Sequence, residues 1–215
     1  MTMKKTNREL ISIRLEEHDF RAICGRYHYG DTDLVLLKEV YDKYLKKKAV
    51  SAWYQIGYDK AENAAVLMTL GAETDEIQNR LSDEGRLAEA YMLECLAMAV
   101  LERAYGQMDE LLHAQTGLWC TGYRFSGGDD MTEVVTMVKD MEQEEVYCNE
   151  SCVLIPKKSV VYVAVLQANP ANQNCAQKVC AGCGRKDCPN RAELETGHKL
   201  NYGYQRIFGV KKNKE

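Results

Sequence analysis

WCTGYRFSGGDDMTEVVTMVKDMEQEEVYCNESCVLIPKKSVVYVAVL, residues 119–166, is the stretch around which the rest of the chain is read. It opens on an arginine-led glycine loop, Arg124-Phe125-Ser126-Gly127-Gly128-Asp129, and passes into a short amphipathic helix. It closes on a strand pair whose connection holds Pro156 and Ser159. A loop of the form Arg-x-x-Gly-Gly-Asp entering a helix suits an anion or small ligand, because backbone N–H groups and the guanidinium can face one concavity. The segment Ser159 to Gln167, SVVYVAVLQ, is the best strand in the chain, being β-branched and apolar almost throughout.

Working outward toward the N-terminus, Glu9 to Leu15 alternates as ELISIRL and fits a half-buried strand or a short helix. Tyr29-Gly30-Asp31 is a turn, after which Asp31 or Thr32 caps a helix from about Asp33 to Lys47, with Leu34, Leu37, Val40, Tyr41 and Tyr44 on one face. Ala49 to Tyr58 and Ala64 to Leu70 read as strands joined by a turn at Asp59 to Asn63. Gly71 ends the second, and a helix starts at Thr74 or Asp75. The longest helix runs from Arg86 to about Leu112, and Ala90 to Leu101 is apolar on nearly every face, so it is expected to be central. Glu94 interrupts it, and the reading favoured is a carboxylate that meets a cap or an arginine at the core edge. Helices and strands mix without regular βαβ alternation, which predicts an α+β fold.

With 215 residues the chain can bury a sizeable core. A net charge of -4 points to neither nucleic acid nor an acidic membrane surface as partner. No signal-peptide pattern opens the chain, and the apolar run Cys95 to Leu101 is far shorter than the ~20 residues of a membrane span. The protein is therefore expected in the cytoplasm. The four histidines, His18, His28, His113 and His198, each stand alone, and no Walker loop or Gly-x-Ser-x-Gly elbow is present, which argues against zinc hydrolase, nucleotide-hydrolase and serine-hydrolase chemistry.

The strongest chemical signal lies after the opening stretch. Cys175, Cys180, Cys183 and Cys188 are spaced C-x4-C-x2-C-x4-C, and four thiolates in so short a segment can close around one metal centre. Both zinc and an iron–sulfur cluster satisfy such a donor set. Structural zinc commonly uses two Cys-x-x-Cys knuckles, whereas this segment has one, flanked by single cysteines and followed by proline as in ferredoxin-type runs; the iron–sulfur cluster is favoured. Cys148 and Cys152 are read as small buried hydrophobes. Domain organisation follows: 1–168 as an α+β domain and 169–215 as a cysteine-rich metal-binding tail.

The order Arg124-Phe125-Ser126, glycines, Asp129, helix, Asn149-Glu150-Ser151, then Ile155-Pro156-Lys157-Lys158-Ser159-Val160 resembles the activation domain of cobalamin-dependent methionine synthase, closest in pattern to small stand-alone homologues from anaerobic bacteria. The likeness spans roughly Arg26 to Leu166. It implies a twisted antiparallel sheet with packed helices and a role in reductive reactivation of a corrinoid methyltransferase, with S-adenosylmethionine as methyl donor and cobalamin held by a partner protein. In that family an arginine and a following Pro-Gly-Tyr segment contact adenosylmethionine. The corresponding residues here are Arg124, Ser126, Gly127, Gly128 and Asp129, with the family's proline and tyrosine absent and the loop shorter. A cluster on the four cysteines would supply a low-potential electron route.

Overall fold

The computed structural model describes residues 5–126, 131–151, 153–170 and 175–183. In chain order its elements are β1 (Asn7–Ser12), α1 (Glu17–Tyr27), α2 (Asp31–Tyr44), β2 (Ala49–Ile56), β3 (Asn63–Thr69), α3 (Ala72–Asp83), α4 (Leu87–Thr116), β4 (Trp119–Arg124), α5 (Thr132–Asp140), β5 (Tyr147–Cys148), β6 (Leu154–Ile155), β7 (Ser159–Gln167) and α6 (Cys175–Gly182).

The fold is α+β, built on an antiparallel sheet in the order β1-β2-β3-β7-β4. β7 lies between β3 and β4, with Tyr162 opposite Val66 and Ala164 opposite both Ala64 and Tyr123. Because side chains alternate across a strand, each central strand feeds two cores. Tyr54, Ala64, Val66, Met68, Tyr162 and Leu166 face α1, α2 and α4. Trp53, Ala65, Leu67, Val161 and Val163 face the other way, onto Val134, Met137 and Val138 of α5. Every residue of β3 is buried, as expected of a strand covered on both faces.

Local chemistry sets the element ends. α2 begins two residues before the expected start: Gly30 is its N-cap, and its N–H donates to Asp33 Oδ2 at 2.8 Å. α3 likewise starts early, at Ala72, after Gly71 takes a φ of 78° that other residues rarely adopt. α4 is central and stops where Gly117 turns left-handed, its N–H returning to His113 O at 2.8 Å. Glu9 to Leu15, open between strand and helix on sequence grounds, contributes to the edge strand β1. α1 was not anticipated, although Phe20, Ile23, Cys24 and Tyr27 have helical spacing. No Ser, Thr, Asn or Asp precedes it, and the start is fixed in reverse, by Asp19 Oδ2 accepting the Glu16 N–H at 2.9 Å.

The expected strand pair near Pro156 is also revised. The pair is β5 with β6, Pro156 follows β6, and Ser159 begins β7, where its hydroxyl donates to Thr69 Oγ1 at 2.8 Å. Among the described residues no helix is long and apolar enough to cross a membrane.

Candidate functional site

Arg124 is the last residue of the edge strand β4. Its Nη1 donates to both oxygens of Glu133, at 2.8 and 2.9 Å, and its Nη2 donates to Asp59 Oδ2 at 2.7 Å. Three elements converge here. β4 supplies the guanidinium, the first turn of α5 supplies Glu133, and the β2–β3 turn supplies Asp59, whose other oxygen accepts from Asn63 Nδ2 at 2.5 Å. Ser126 Oγ donates to Glu133 Oε2. The Ser126 hydroxyl and then Arg124 hold the Glu133 carboxyl below its usual range against the opposing effect of burial. Burial would lower the guanidinium's proton affinity, but Glu133 and Asp59 outweigh it and hold Arg124 above its ordinary value.

One guanidinium and two carboxylates leave this constellation with one net negative charge. Arg124 and Ser126 were expected as ligand-loop residues and do share a partner. Gly127, Gly128 and Asp129, the remainder of that loop, lie outside the described residues. Asp59 and Glu133 were missed. The one available signal was an acidic residue in the first helical turn after the glycine loop.

The cysteine segment, expected as a glycine-relieved loop, forms the helix α6 in its first half. α6 packs on β4 and α4 through Cys175, Lys178 and Gly182. Lys178 Nζ donates to Asp109 Oδ2 at 2.8 Å, Tyr123 OH donates to the same oxygen at 2.8 Å, and Cys175 Sγ lies 3.9 Å from it. Burial would strip the Lys178 ammonium of its proton more easily; the Asp109 hydrogen bond and charge reverse this and hold it above the usual range. Burial, then Asp109, pushes the Cys175 thiol up. Tyr105, Tyr123 and Tyr162 cluster behind this network in tilted and edge-to-face pairs with centroids 4.8–5.0 Å apart, and burial raises all three hydroxyls. Asp109 Oδ1 and Tyr162 OH are buried without a hydrogen-bond partner among the described residues.

Glu94 meets neither a cap nor an arginine. Lys158 Nζ donates to its Oε1 at 2.5 Å and Gln78 Nε2 to its Oε2 at 3.0 Å, so the partner is a lysine from the turn before β7. Cys148 is half-buried in β5, while Cys152 and Cys188 lie outside the described residues.

Two of the four expected thiolate ligands, Cys175 and Cys180, lie on α6. Cys175 shares a face with Lys178 and Gly182, which both contact the domain. At 3.6 residues per turn, Cys180 lies about 140° away. Among the described residues no three His, Cys, Asp or Glu side chains are placed to hold one ion. Comparison with known proteins assigns no family: no family model matches this chain, and no curated protein matches it.

Proposed function

We propose that the chain is a cytoplasmic accessory protein for the reductive reactivation of a corrinoid methyltransferase, taking S-adenosylmethionine at the loop after β4. The observation that carries the reading is the Arg124 fork. It stands at the end of an edge strand, is 42% exposed, and engages two carboxylates with good geometry, so it suits the carboxylate of an amino-acid-bearing ligand. Such a ligand exchanges with a resident carboxylate. The excess negative charge from Asp59 and Glu133 then favours a ligand that also carries a cation, and adenosylmethionine carries both an ammonium and a sulfonium. The chain's task is positioning, since the sulfonium is itself a good methyl donor and a corrinoid on the partner supplies the metal that accepts the methyl group.

A second reading keeps the fold and drops the small-molecule site: a metal-bearing interaction module that docks on a corrinoid protein. The filling of the Arg124 donors by Glu133 and Asp59 favours it. The readings separate in an anaerobic assay with the full chain, adenosylmethionine, cob(II)alamin and a low-potential one-electron donor, followed by absorption. Reactivation predicts methylcobalamin forming faster with the protein than without it. Equal rates contradict it.

A further inference from the structure

We infer that Cys175 is a packing thiol that latches α6 onto the domain and cannot share one zinc ion with Cys180 while the helix is docked. The argument begins with the helix. From Cys175, Lys178 lies about 60° around the axis and Gly182 about 20°, whereas Cys180 lies about 140° away and about 7.5 Å along it.

The three residues of the first face are fixed by contact with the domain. A Cβ built on Gly106 of α4 would lie 3.5 Å from Cys175 Sγ, which is ordinary van der Waals distance. Lys178 reaches Asp109 at 2.8 Å with its side chain only 9% exposed. A Cβ built on Gly182 would lie 2.0 Å from Tyr123 O, so the helix approaches β4 as closely as only glycine permits. Cys175 is thus held at the α4 contact by its own packing and by neighbours one and two turns on.

Two thiolates on one zinc lie within about 4.6 Å, twice the metal–sulfur bond. Sulfurs on faces so divergent are on the order of 10 Å apart, so Cys175 and Cys180 cannot share that ion while α6 is formed and docked. Cys175 belongs with Asp109, Tyr123 and Lys178. This inference does not depend on the corrinoid reading.

The test uses the full chain purified anaerobically. Metal content and visible absorption are measured for wild type, Cys175→Ser, Cys175→Ala and Cys183→Ser. Iodoacetamide labelling of wild type, read by mass spectrometry, is followed before and after treatment with a chelator. The expected result is that both Cys175 variants retain the wild-type metal content while Cys183→Ser loses it. Cys175 also labels at least about tenfold more slowly than Cys183 after chelation, because α6 must open first. Loss of metal in either folded Cys175 variant overturns the inference. So does labelling of Cys175 as fast as Cys183, a readout on wild type that holds whether or not a metal is present and whether or not the variants fold.

Discussion

At the scale of single residues, two carboxylates on one guanidinium decide what Arg124 can do. The pairs are about two-fifths exposed on the arginine side and one-third on the Glu133 side, so solvent screens them. Arg124→Ala should therefore cost no more than ~1 kcal/mol in urea denaturation, leaving a folded protein in which ligand binding can be measured. Glu133 adds a small pH term. Its folded-state affinity for protons is depressed, so its contribution is in place above about pH 4.3 and is lost as pH falls through the lowered value. Lys158 is a different case, with its side chain 8% exposed against Glu94. Lys158→Ala strands that carboxylate and should cost about 2–3 kcal/mol, short of the 3–5 typical of a fully buried pair because Glu94 is one-third exposed. Arg124 and Ser126 could be picked from sequence because they flank the glycine loop. Asp59 could not, since it reaches Arg124 across 65 residues through the pairing of β2, β3, β7 and β4.

Among the elements, α6 is the least legible in the sequence and the most consequential in the structure. Its glycines and cysteines read as a metal-binding loop. What makes it a docked helix is tertiary: Lys178 finds Asp109 on α4, and Gly182 fits against Tyr123. Gly182→Ala should undock it, seen as accelerated amide exchange in α6 with the sheet still protected. Asp109→Asn leaves the Lys178 ammonium buried without its counter-charge, and a loss of about 3–5 kcal/mol, or release of α6 at lower cost, is expected by thermal denaturation. The long helix α4 was readable because its apolar residues recur over so many turns. α1 was not, because its start uses a backbone-to-Asp19 hydrogen bond instead of a side-chain cap before it.

For the molecule as a whole, one sheet carries two cores, and the α+β class follows from interspersed strand and helix patterns already visible in the sequence. That β3 and β7 are buried on both faces was foreshadowed only by their unbroken apolar runs. Leu67 is fully buried on the α5 side, so Leu67→Ala should cost about 2–5 kcal/mol and shift the helix signal and Trp53 fluorescence together, as one cooperative unit. Alkaline pH is the other global lever. Tyr105, Tyr123 and Tyr162 are all raised by burial, so their contribution is complete below about pH 10 and lost above it as the unfolded chain ionises first. Three such groups give a fall of about 4 kcal/mol per pH unit, and Tyr123→Phe should flatten it by about a third. Whether the loop after β4 takes adenosylmethionine through Arg124 is decided by calorimetric titration of that ligand into wild type and Arg124→Ala. Saturable heat from wild type and none from Arg124→Ala is the predicted result; no heat from the intact protein, or equal binding by Arg124→Ala, overturns the assignment.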